Sequence, residues 1–180
     1  PAGQSGPVGI ATGFPQTPQG AVGQLAAISV SVLHHMSIEH TREVYAAWSE
    51  PKAQPVGDWE LMASVQAFHS SAAGTAATSL TPVITAAPVA AQVKGTDGQD
   101  WTLACVLLDV QARAVTSARI AFGHCERMQW QDTRWVIAAG AAPARAPSTW
   151  PGTDLAAEAG WRTWVPAETE IAPAGSGEGA

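Results

Sequence analysis

Charge is scarce in this chain. Only 13% of its 180 residues are Asp, Glu, Lys or Arg, the formal net charge is −6, and nowhere do Lys and Arg form a run. A surface that follows a phosphate backbone needs clustered cations, so direct nucleic-acid binding is disfavoured. There is no stretch of about 18 apolar residues, the length a helical membrane span requires. The glycine-rich phosphate loops G-x-x-x-x-G-K-[ST] and G-x-G-x-x-G are missing, as is the nucleophile elbow G-x-S-x-G. Ser70, Ser71 and Ser79 have no local nucleophile context and read as polar loop residues. Tyrosine occurs once, at Tyr45, so a tyrosine-based oxyanion site has a single candidate.

What the chain does have is Ala, Gly, Pro and an unusual share of tryptophan, eight against three phenylalanines. Much of the 46% hydrophobic content is Ala, so the packed core is smaller than that figure suggests. The length suits one domain. Residues 1–16 read as a Gly/Pro/Gln-rich linker, 17–141 as an α+β domain, and 142–180 as a Pro/Ala-rich tail with a short helix and a disordered end. A chain opening on Pro1 reads as a processed or truncated product, downstream of a signal peptide or membrane anchor.

Three helices come first. Thr17-Pro18 pairs a hydroxyl cap with proline at the first helical position, and Leu25, Ile28, Val32 and Met36 recur at helical spacing, predicting a helix over Pro18 to Met36. Ser37 caps a second helix from Ile38 to Trp48, which Pro51 stops from continuing. Asp58 is the expected cap of a third, with Leu61, Val65 and Phe68 inward and Gly74 as its stop. Residues 70–91 read as a loop, with a strand beginning only near Val89 and running to Lys94.

Strands then follow in series: Trp101 to Ala112, Ser117 to Trp130 and Arg134 to Ala139. Connections at Ala114-Val115 and at Asp132-Thr133 set Cys105 opposite Cys125, Trp130 opposite Trp135 and Met128 opposite Ile137. Val106, Leu108 and Val110 then share a face with Ile120, Phe122, His124, Met128, Trp130, Trp135 and Ile137. Asp109, Arg119, Arg127 and Gln129 fall on the other face with Leu103 and Leu107, the alternation of a half-buried antiparallel sheet. The fold class is therefore α+β: three N-terminal helices on a curved antiparallel sheet of about four strands, followed by a C-terminal tail.

The opposed cysteines suit either a disulfide, which implies an oxidising compartment, or two free buried thiols. Metal binding finds no support. His34 and His35 point roughly 100° apart on one helix, His124 and Cys125 point to opposite sheet faces, and Ser37 breaks the helix between His35 and Glu39. The catalytic candidates are His124 as a general base with Glu126 or Asp58 near it; the plainer reading makes His124 a hydrogen-bonded wall residue and Glu126 a rim residue. Interface candidates are Trp150, Trp161 and Trp164 in the tail, packing on the chain itself or on another subunit. Leu103, Leu107, Arg119 and Arg127 on the outer sheet face are further candidates, unless the tail covers that face.

Helices followed by a curved sheet ending in the hairpin QWQDTRWVIA resemble the nuclear-transport-factor-2-like superfamily, a cone in which long helices pack into the sheet's concavity. More narrowly, GFPQTPQGAV, VKGTDGQDWTLACVLLDV, ARIAFGHCERMQW and APSTWPG resemble accessory proteins of actinobacterial conjugative elements, relatives of membrane-anchored scaffold components of type IV secretion systems. The likeness implies a non-enzymatic, extracytoplasmic assembly role. Its partners would be other apparatus proteins or a second copy of the chain, it would need no cofactor, and it would reach a membrane only through an upstream anchor. Other members of the superfold are isomerases and dehydratases working inside the cone, so fold alone does not decide. The alternative is a small-molecule-binding or catalytic cone using His124 and Glu126.

Overall fold

The computed structural model describes residues 3–74, 82–113 and 117–164. Helix α1 (Pro18–His35) starts where its sequence directs: Thr17 Oγ1 accepts from Gly20 N at 3.1 Å with proline in the first turn. Ser37 does the same for α2 (Ile38–Trp48), accepting from His40 N. The third helix, α3 (Glu60–Gly74), departs from expectation. Asp58 does not cap it but ends a 3-10 turn, Val56–Asp58, and Trp59 follows in extended backbone before α3 begins. That one extended residue drives the Trp59 indole into the core, where its side chain is fully buried.

Before α1, the leader is more than a linker. Strands β1 (Gln4–Ser5) and β2 (Ala11–Thr12) pair across a tight 3-10 turn. Ile10 is buried, Thr12 bonds Gln24 of α1, and the Trp48 indole donates to Pro7 O. The leader passes so close to α1 that a side chain at Gly20 would collide with Pro15 O.

The main sheet has five strands, all antiparallel, in the order β6-β5-β4-β3-β7. They are β3 (Val83–Asp97), β4 (Trp101–Arg113), β5 (Ser117–Gln131), β6 (Arg134–Ile137) and β7 (Arg162–Thr163). The predicted pairs Cys105 with Cys125, Trp130 with Trp135 and Met128 with Ile137 all occur. The β5–β6 turn places Asp132 at φ 55, a conformation that Asp tolerates.

Strand β3 begins six residues earlier than the sequence reading placed it. Pro88 hid it, because proline donates no ladder hydrogen bond. Here Pro88 pairs with Leu108 beside a register shift, and β7 covers β3 only at Ala90 and Ala91, so its missing N–H breaks no outer ladder. The connection at Ala114-Val115, Ser79 and the expected disordered end lie outside the described residues.

Both faces of the sheet are covered at its centre. On the concave side α1 lies across β3 and β4, and Leu25, Ile28, Trp48, Trp59, Leu61, Met62, Leu108, Met128 and Trp135 form one core in which none is more than 1% exposed. Ile120, expected on this face, is 55% exposed. On the convex side the tail returns through a short helix, α4 (Asp154–Glu158), to β7. It closes a second core of Ala90, Cys105, Leu107, Cys125, Ala146, Ala156 and Trp161. Gly123 permits that closure, because a Cβ there would sit 2.9 Å from Pro147 O.

Candidate functional site

A buried cluster of acid–base groups joins β5 to the start of α3. Alternation along β5 turns both His124 and Glu126 inward, away from Cys125. His124 is completely buried, and its Nδ1 bonds Glu60 Oε2 at 2.8 Å. Its Nε2 lies 3.5 Å from Glu126 Oε1 and makes no hydrogen bond among the described residues. The same Glu126 oxygen instead accepts from Trp59 Nε1 at 2.9 Å. Phe122 lies alongside His124 with ring centroids 6.2 Å apart, and Trp59 stands edge-on at 6.5 Å.

Burial pushes the Glu126 carboxyl above the usual carboxylate range; His124 and the Trp59 N–H pull it back, while Glu60 adds to the rise. Tyr45 packs 4.9 Å from the Trp59 ring and donates its hydroxyl to Gln54 O, so it faces a backbone carbonyl rather than a substrate space. Its phenol is pushed up to about 12, first by burial and then by the charges of Glu126 and Asp58.

The pair named from sequence is thus brought together, but Asp58 is not its third member. Asp58 is exposed in its 3-10 turn, and Glu60, one helical start later, takes the place beside His124. Glu60 is the outlet of the cluster: it keeps 24% side-chain exposure and lies 3.5 Å from the guanidinium of the exposed Arg145. Such a pair, at a solvated rim, holds little. Glu126, expected at an open rim, is only 4% exposed.

The interface candidates separate into two groups. Trp161 and Leu107 are buried in the chain's own convex core, with the Trp161 indole donating to Pro147 O at 3.0 Å, so neither is presented to a partner. Trp150 is 47% exposed. The Arg119 guanidinium stands 5.3 Å from its ring while making two 2.7 Å bonds to Asp109, which hold the Asp109 carboxyl below its ordinary range. Leu103 and Arg127 are half-buried. Trp164 is also half-buried, at the wall of a cleft of about 950 Å³ between the leader, the first turns of α1 and the β3–β7 edge.

Two smaller clefts, of about 330 and 440 Å³, open beside Trp101 and at the α1–α2 corner, and neither His124 nor Glu126 lines any of the three. Among the described residues, no three metal-ligating side chains gather to hold an ion. Among the described residues, no helix is long and apolar enough to cross a membrane. Cys105 and Cys125 are joined in a buried disulfide, compatible with an oxidising compartment. Comparison with models of known families, with curated proteins and with solved structures returns no match for this chain.

Proposed function

We propose that this chain is a non-enzymatic scaffold or assembly domain that acts through protein–protein contacts outside the cytoplasmic membrane, in a conjugative DNA-transfer apparatus of the type IV secretion kind. The observation that carries the non-enzymatic reading is the filled concavity. Leu25, Ile28 and Trp135 are fully buried in it, and a substrate would have to displace packed side chains to reach His124 Nε2. Ligand sites are ordinarily open concave spaces of a few hundred Å³. The compartment rests on the buried Cys105–Cys125 bridge. The apparatus rests on the sequence likeness alone.

Contacts with a partner would fall on what the fold leaves at least partly exposed: Trp150 first, then the half-buried Leu103, Arg127 and Trp164. The test combines location with function. Thiol trapping and protease access in intact cells should find the cysteines oxidised and the chain reachable from outside. Trp150→Ala should lower transfer frequency at least tenfold while thermal unfolding matches the parent. Reduced thiols in a protease-protected protein, or transfer indifferent to deletion of the chain, would overturn the reading.

The rival, a catalytic cone, has one observation in its favour: Glu60 fixes the His124 ring through Nδ1, as an orienting carboxylate does for a histidine base. It would need a turnover that His124→Gln abolishes while the fold survives.

A further inference from the structure

Four of the five histidines crowd one corner of the molecule, where α1 gives way to α2. We propose that the stacked imidazoles of His35 and His40, both bonded to Ser31, form a pH-sensitive latch that holds this corner closed near neutral pH and releases it on acidification. His35 Nδ1 donates to Ser31 O at 2.8 Å, the last turn of α1 bonding back on itself. His40 reaches across from α2, its Nε2 sharing a 2.9 Å hydrogen bond with Ser31 Oγ. Their ring centroids are 4.0 Å apart with the planes 29° from parallel. One serine and one ring stack therefore tie the first turn of α2 to the last turn of α1.

The corner between them is a tense connection. Met36 adopts φ 45, a left-handed conformation that a side chain with a Cβ resists. Its carbonyl accepts from His69 Nε2 of α3 at 2.7 Å.

Charge decides when the latch holds. Two neutral rings stack, and so does one imidazolium on a neutral ring; two imidazoliums face to face at this distance repel. A proton on His35 goes to Nε2, since Nδ1 already carries the hydrogen given to Ser31 O, and no hydrogen bond is lost. His40 is placed differently. It is the third residue of α2, where the helix dipole disfavours a cation. Burial and the neighbouring His35 hold its imidazole below the ordinary range, with Glu43 partly opposing them.

The groups around the pair come from three helices. From α1 there is His34, its ring 6.4 Å from His35. From α2 come Glu39 and Glu43, with Arg42 exposed between them. From α3 there is His69, which lines the same cleft as His34 and His35. Pro82 and Ile84, at the start of β3, carry no charge.

A proton on His40 therefore enters a corner already crowded by His35, with Glu43 only partly opposing the cost. Below about 6.5, the ordinary imidazole value, the opened corner binds a proton on His40 that the closed corner refuses. Falling pH then favours opening until the folded His40 itself charges.

Hydrogen exchange read residue by residue tests this on the full chain. Protection factors across residues 32–41, corrected for intrinsic exchange, should fall at least tenfold between pH 7.5 and pH 5, while those of β4 hold. His40→Gln keeps a hydrogen-bonding group for Ser31 but does not titrate, so it should abolish the fall. An equal fall in His40→Gln, or no fall in the parent, overturns the proposal. Should that variant fail to fold, imidazole proton resonances of the parent and of His35→Gln decide instead. The His40 midpoint should rise toward the ordinary value when its partner cannot charge, and an unmoved midpoint overturns the latch.

Discussion

The Trp59 indole N–H meets Glu126 Oε1 at 2.9 Å, fastening the entry of α3 to the middle of β5 through a carboxyl that is almost wholly buried. Because burial raises that carboxyl above its ordinary value of 4.5, the protonated form is the one the fold prefers. Its contribution is fully present below 4.5 and is lost as pH rises through the folded value. Glu126→Gln keeps an oxygen for Trp59 and cannot ionise. At pH 7 its urea midpoint should equal or exceed the parent's, by up to about 1 kcal/mol of stability, with the gap closing toward pH 4. A loss of about 2 kcal/mol at pH 7 would instead make the carboxylate a net stabilising partner of His124.

Tyr45 is the sole tyrosine, so its ionisation can be followed without interference. Phenolate absorbance should show a midpoint at about 12 in the folded chain, against about 10 after unfolding. By the same linkage, a stabilising contribution present below pH 10 is lost as pH rises toward the folded value. A midpoint near 10 in a chain still folded by circular dichroism would mean that the phenol is not held between Gln54 and the Trp59 ring.

Trp161 is a structural anchor on this reading rather than a docking residue. Trp161→Ala should destabilise the chain by about 3–5 kcal/mol, the usual loss on emptying a large buried site. Gly123→Ala should act on the same element from beneath by forcing Pro147 and Ala146 outward, at a cost of about 1–3 kcal/mol. Urea denaturation measures both. A change within about 0.5 kcal/mol for Trp161→Ala would mean the tail does not seal the convex face in solution.

The parts legible in the sequence are those governed by near neighbours. Thr17 and Ser37 announce their helices because a cap acts across three residues. Strands β4 and β5 announce their register because Val106, Leu108 and Val110 alternate in step with Phe122, His124 and Met128 across one connection. What stayed hidden depends on distant partners. The leader looks like a linker until Gln24 and Trp48 supply its hydrogen bonds. Nothing near Pro88 shows that β7 will pair with its strand only at Ala90 and Ala91, leaving no outer ladder there for a proline to break. Glu60 reads as an ordinary acidic residue in a helix's first turn, a place that favours one by itself; its bond to His124 spans 64 positions. A Trp-Glu pair at a helix start, opposite an inward His-x-Glu strand, was the available signal.

The disulfide joins these elements and gives the sharpest solution test of the convex core. Cys105 and Cys125 are 20 positions apart, bonded beneath Trp161 and at most 3% exposed. A crosslink closing a loop of this size contributes about 3 kcal/mol in the chain-entropy account. Replacing both cysteines by Ala should lower stability by about that much and leave the native fold populated. Reduction of the parent carries further information, because a thiolate must reach a sulfur that the tail covers. Under native conditions reduction should be slow and limited by opening of the tail, so Trp161→Ala should accelerate it at least tenfold, whereas Trp150→Ala, altering an exposed residue, should not. Equal rates in the parent, in Trp161→Ala and in the urea-unfolded chain would show the sulfurs freely accessible, and the tail would then have no structural hold on the sheet.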